Sequence, residues 1–67
     1  MTYAELKRRL QRIGVILEAE GSRHEIWLNP ATAKRAPIPR HDQRDVSPGM
    51  LAAILRELGI SRESFGQ

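Results

Sequence analysis

Gly21-Ser22-Arg23 separates two runs of strand-forming residues, 15–20 and His24–Asn29. Three residues with a glycine at the first make a tight turn that a Cβ would resist. The runs on either side therefore fold back as an antiparallel hairpin. In the first run Val15, Leu17 and Ala19 alternate with Ile16, Glu18 and Glu20. In the second, His24, Ile26 and Leu28 alternate with Glu25, Trp27 and Asn29. Both faces of the second run carry an apolar residue, so alternation alone leaves its buried face open. If Ile26 and Leu28 face inward, His24 shares their side at the strand's end; a bulge reverses the sides.

Helical periodicity flanks this hairpin. Residues 2–13 read as a helix, with Thr2 as cap and Glu5 in the capping-box position. Tyr3, Leu6, Leu10 and Ile13 form its expected buried stripe, and Lys7, Arg8, Arg9 and Arg12 its solvated surface. Gly14 stops it. After the hairpin, Asn29 to Ala33 reads as a turn around Pro30, and residues 34–38 as a short third strand. Pro37 and Pro39 bracket Ile38 and cannot donate ladder hydrogen bonds, which places this strand at an edge or in a short, irregular pairing. A polar connection follows. Ser47 caps a second helix with Pro48 in its first turn. Leu51, Ile54, Leu55 and Leu58 give its stripe, and Gly59 ends it, with Ile60 tucked back. Residues 62–67 form a tail that makes one more turn or frays.

The expected fold class is α+β: an α-β-β-β-α chain with a three-stranded antiparallel sheet covered on one face by two helices. Sixty-seven residues make one domain, 1–67, with its core at about 3–61. A domain of this size buries only about 60% of its unfolded surface. That leaves no room for a dinucleotide or haem pocket, and no cofactor is expected. There is no cysteine, which excludes disulfides and cysteine-based zinc sites. No ligand spacing resembles a metal site. No apolar run approaches the roughly 20 residues of a membrane span, and the charged first ten residues do not resemble a secretory leader. A cytoplasmic protein is expected. The formal charge is +3, and of 11 basic residues only Lys7 and Lys34 are lysine. Arginine's planar fork suits phosphate, so a polyanion or an acidic protein is a reasonable partner.

His24 is the strongest candidate for chemistry, because imidazole exchanges protons near neutral pH. RNA carries its own nucleophile, the 2′-hydroxyl. A base that removes its proton drives attack on the adjacent phosphorus, leaving a 2′,3′-cyclic phosphate and a 5′-hydroxyl. That route needs proton-transfer groups and cations around the phosphoryl oxygens, with no metal. Arg23 and Arg40 are candidates for those cations, with Lys34 at the start of the third strand as a further substrate contact. His41 would hold substrate or serve as the complementary acid. Trp27 would stack on a base or contact a partner protein. Each has a plainer reading: a surface histidine in a turn or loop, a solvated charge, a core tryptophan. Glu18, Glu20 and Glu25 read as solvated strand charges.

Four segments in order resemble the HicA toxins, also called YcfA-like proteins, of bacterial type II toxin–antitoxin systems. They are the helix ending at Arg12-Ile13-Gly14-Val15, the Gly21-Ser22-Arg23-His24 segment, which matches Gly-Ser-x-His, Ala36-Pro37-Ile38-Pro39-Arg40-His41, and the closing stretch from Pro48 to Ser61. The resemblance implies a double-stranded-RNA-binding-like fold and an mRNA interferase, a ribosome-independent endoribonuclease. It carries the catalytic histidine to His24. It also implies a HicB-like antitoxin partner that masks this histidine in a toxin–antitoxin hetero-oligomer. The alternative on the same fold is a small RNA-binding or antitoxin-binding module without catalysis. This chain departs from the family in its short, neutral segment from Asn29 to Ala33, and in Met50, where members commonly carry Thr or Ser.

Overall fold

Hydrogen bonding at the chain's start sets the first helix. The Thr2 hydroxyl accepts the Glu5 N–H at 3.2 Å, and helix α1 runs over Tyr3–Arg12 in the computed structural model, which describes residues 1–66. Glu5 does not complete the capping box. Its carboxylate accepts from Arg8 and Arg9 instead. Strands β1 (Ile16–Glu20), β2 (His24–Asn29) and β3 (Lys34–Pro39) follow, then α2 (Pro48–Leu58) and the single turn α3 (Arg62–Phe65). The strands form one antiparallel sheet in the order β1-β2-β3. The α-β-β-β-α arrangement is the one expected. α3 adds a closing turn that buries Phe65.

The strand faces differ from a simple alternation. β2 pairs with β3 without a break, from His24↔Pro39 to Asn29↔Lys34. β3 is therefore a regular edge strand rather than an irregular one. Pro37 and Pro39 lie two residues apart, so both point their missing N–H away from β2. β1 slips against β2 at Glu18: Leu17 lies opposite Trp27, while Ala19 lies opposite Ile26. The inward face of β2 is that of Trp27 and Asn29, which continues into Ala36 and Ile38 of β3. Ile26 and Leu28 are only partly buried, on the opposite face. In the ladder Trp27 stands opposite Ala36 and Glu25 opposite Ile38, so the indole side of β2 continues the buried face of β3. His24 consequently lies on the open face, away from the helices.

α1 also differs from expectation in two residues. Lys7 is buried and Ile13 is 41% exposed. The helix stops at Arg12, and Ile13 leaves helical geometry with φ −100° and ψ 13°. It therefore swings off the stripe before the turn at Gly14. Lys7 points inward beside Tyr3, Leu6 and Leu10.

α2 packs on β3. Ser47 caps it by accepting the Met50 N–H at 3.1 Å. Ile54, Leu55 and Leu58 join Leu6, Leu10, Val15, Trp27 and Ile38 in one core. Past Gly59, the Ile60 N–H returns to the Leu55 carbonyl at 2.9 Å and its side chain packs on that core. Buried Asn29 ties the β2–β3 turn to the end of α2. Its Nδ2 donates to the Leu58 carbonyl at 2.8 Å, and its Oδ1 accepts the Ala31 N–H at 3.1 Å. The Thr32 hydroxyl donates to the same Leu58 carbonyl at 2.9 Å. Among the described residues no buried side-chain nitrogen or oxygen lacks a partner, and no helix is long and apolar enough to cross a membrane.

Candidate active site

The turn that precedes β2 is closed by its own backbone. The Gly21 N–H donates to the His24 carbonyl at 2.8 Å. A Cβ on Gly21 would lie 3.0 Å from that carbonyl oxygen. Glycine is needed here for close approach rather than for a left-handed backbone. The exit of β3 is stitched to the same turn. The Arg40 N–H donates to the Arg23 carbonyl at 3.2 Å, and Arg40 Nη1 donates to the Gly21 carbonyl at 2.8 Å. Between turn and exit lies a shallow cleft of about 440 Å³, lined by Ser22, Arg23, His24, Pro39, Arg40 and His41.

Four of the candidate residues meet here. His24 is placed by its register opposite Pro39, two residues before His41. One imidazole comes from the start of β2 and the other from just past β3, so they border one opening. Arg40 is partly committed, with its guanidinium on the Gly21 carbonyl and 3.7 Å from the Glu20 carboxylate. Among the described residues Arg23 makes no ion pair, which leaves its guanidinium available to an anion.

Two candidates lie elsewhere. Trp27 is 3% exposed, and its Nε1 donates to Glu25 Oε1 at 3.1 Å. Its ring faces the helices and offers no surface for a base. Lys34 pairs with Asn29 at the far end of the hairpin from Pro39. Five strand residues at about 3.4 Å each put it roughly 17 Å from the cleft. Of the acids that flank the turn, Glu18 and Glu20 are exposed as expected and Glu25 is not. Glu18 holds Arg35 through two hydrogen bonds of 2.6 and 2.9 Å. Those bonds outweigh the opposing effect of desolvation and keep its carboxyl below the usual carboxylate range. Glu25 turns inward, where Lys7 Nζ lies 2.8 Å from its Oε1. Neither carboxylate opposes an anion in the cleft at full strength.

Sequence reasoning passed over the group formed by Lys7 with the acids that follow His24 and His41, Glu25 and Asp42. Lys7 Nζ donates to Asp42 Oδ1 as well as pairing with Glu25. The signal was present, since Lys7 falls at i+4 from Tyr3 and i−3 from Leu10, on the apolar stripe itself. A separate apolar groove, lined by Met1, Val46, Pro48, Leu51, Ala52, Leu55 and Arg62, holds no proton-transfer group. Among the described residues no group of three or more His, Cys, Asp or Glu side chains is placed to hold a metal ion.

Comparison with known proteins adds two likenesses. A family model described as the HicA toxin of bacterial toxin–antitoxin systems matches residues 3–60. A chain in the crystal structure of the E. coli HicAB toxin–antitoxin complex superposes with a TM-score of 0.77 and 32% sequence identity. The match covers 88% of this chain and 98% of that one. No curated protein sequence matches.

Proposed function

The chain belongs to the HicA toxin family of toxin–antitoxin systems, and from that premise we propose that it is an endoribonuclease that cleaves mRNA in the cytoplasm, without a metal, at the His24–His41 cleft. The observation that carries this reading is the meeting of two imidazoles and two guanidiniums at one opening. His24 removes the proton from a ribose 2′-hydroxyl. The O2′–phosphorus bond forms and the phosphorus–O5′ bond breaks. His41 delivers a proton to the departing O5′. The products are a 2′,3′-cyclic phosphate and a 5′-hydroxyl, with no change of oxidation state. Arg23 meets the charge on the phosphoryl oxygens. Arg40 shapes the cleft and adds a second positive group.

The exposed cleft is also the surface that a HicB-like antitoxin would cover in a hetero-oligomer, blocking RNA and silencing the toxin in one contact.

The decisive experiment compares the purified protein with its His24→Ala variant on single-stranded RNA in a chelator. General acid–base catalysis contributes about 10²- to 10⁴-fold, so cleavage falls by that factor while the far-ultraviolet circular dichroism is unchanged. Parent products carry cyclic-phosphate ends. RNA binding without cyclic-phosphate ends, or a His24→Ala variant as fast as the parent, would overturn the reading in favour of a non-catalytic module.

A further inference from the structure

Each histidine of the cleft is followed in the chain by an acid: His24 by Glu25 and His41 by Asp42. The two acids lie on different elements, yet both reach the same buried amine, Lys7 Nζ. Lys7 and Glu25 have side chains only 10% and 14% exposed, while Asp42 is 56% exposed. The lysine is thus a fixed post in the core, with one arm to β2 and one to the loop after β3.

The surrounding backbone shows why this matters for His41. The N–H groups of the first turn of α1 have no partners within the helix. Here Ala4 N–H donates to the Asp42 carbonyl at 3.0 Å, and Tyr3 N–H to the Arg44 carbonyl at 2.9 Å. On the other side of His41, Arg40 is held to the hairpin turn through the Arg23 and Gly21 carbonyls. His41 is therefore the link between a residue anchored to the sheet and one anchored to α1. The Lys7–Asp42 pair is the side-chain contact on the α1 side.

Resting on the ribonuclease reading of this cleft, we infer that Lys7 is a positioning residue, which holds the two histidines at a fixed separation by gripping the acid next to each. It touches no substrate. It acts on His24 through Glu25, and on His41 through Asp42.

Asp42→Ala tests this on the intact protein, because it cuts the loop arm at an exposed residue and leaves the buried Lys7–Glu25 pair in place. Two readouts are needed. In the free protein, the imidazole carbon and proton resonances of His41 shift or broaden while those of His24 hold. In RNA cleavage, kcat falls about tenfold and KM stays within about twofold, since misplacing a reacting group by an ångström slows chemistry more than binding. Asp42→Glu keeps the carboxylate and restores both readouts in part. The paired variant Lys7→Met with Glu25→Gln removes the post without stranding a buried charge, and moves both histidines' resonances.

Unchanged His41 resonances in Asp42→Ala overturn the inference, whatever the rate does. A rise in KM at constant kcat also overturns it, by making Asp42 a substrate contact. If the parent protein fails to cleave RNA, the ribonuclease reading falls, and the His41 resonances alone then decide whether Lys7 sets the loop.

Discussion

At the scale of single residues, the site depends on one small side chain as much as on the imidazoles. Gly21 sits where a methyl group would press on the His24 carbonyl at 3.0 Å. That oxygen belongs to the backbone and is held by the Gly21 N–H, so it has little room to give. Gly21→Ala is expected to destabilise the protein by about 1 kcal/mol, at the low end for overpacking, and to slow RNA cleavage by displacing the turn that presents His24. Denaturant unfolding and cleavage rate measured on the same preparation check this; a parent-like midpoint together with a parent-like rate would sink it. The turn, its glycine and the histidine were all legible in the sequence, because each is a local signal. The fate of Trp27 was not. Both faces of its strand carry an apolar residue, and the pairing of Trp27 with Ala36, 9 residues away, is not a local signal.

At the scale of elements, the sheet and α2 are locked together at one polar point. Asn29 is 5% exposed and bridges the β2–β3 turn to the Leu58 carbonyl at the end of α2. Asn29→Ala removes the bond to the Leu58 carbonyl and leaves the Ala31 N–H without its acceptor. Thr32 still donates to Leu58, so that carbonyl is not orphaned. The expected loss is about 1–3 kcal/mol, the range for a buried polar partner removed, seen as a lower unfolding midpoint at constant m-value. A change below the resolution of the measurement would mean that Thr32 and the backbone bonds to the Asn29 carbonyl hold the turn without the amide. The elements themselves were largely readable: Thr2, Ser47 and Gly59 mark helix ends, and Pro37 with Pro39 marks an edge strand. Lys7 was misread because its partners lie far along the chain, Asp42 being 35 residues away. A helical stripe predicts which way a side chain points, but not which distant acid will satisfy it.

At the scale of the whole molecule, the Lys7 group gives stability a pH signature. Burial disfavours the charged amine, but hydrogen bonds with Asp42 and Glu25 outweigh it and hold Lys7 above the ordinary 10.5. The folded value exceeds the unfolded one, so this contribution is complete below about pH 10 and is lost as pH rises through the folded value. Unfolding free energy measured from pH 9 to about 12 should therefore fall more steeply in the parent than in the Lys7→Met, Glu25→Gln pair. Equal slopes would show that the amine's charge is not coupled to folding. The sheet has a different whole-molecule consequence, which follows from its unlike edges. β3 is capped along its outer side by two missing amides, whereas β1 is exposed throughout and carries no proline. Of the two edges, β1 is therefore the one whose ladder no proline interrupts. Two copies joined there would make a six-stranded sheet whose ends are both proline-blocked, so strand-to-strand growth terminates at a pair and cannot propagate into a fibre.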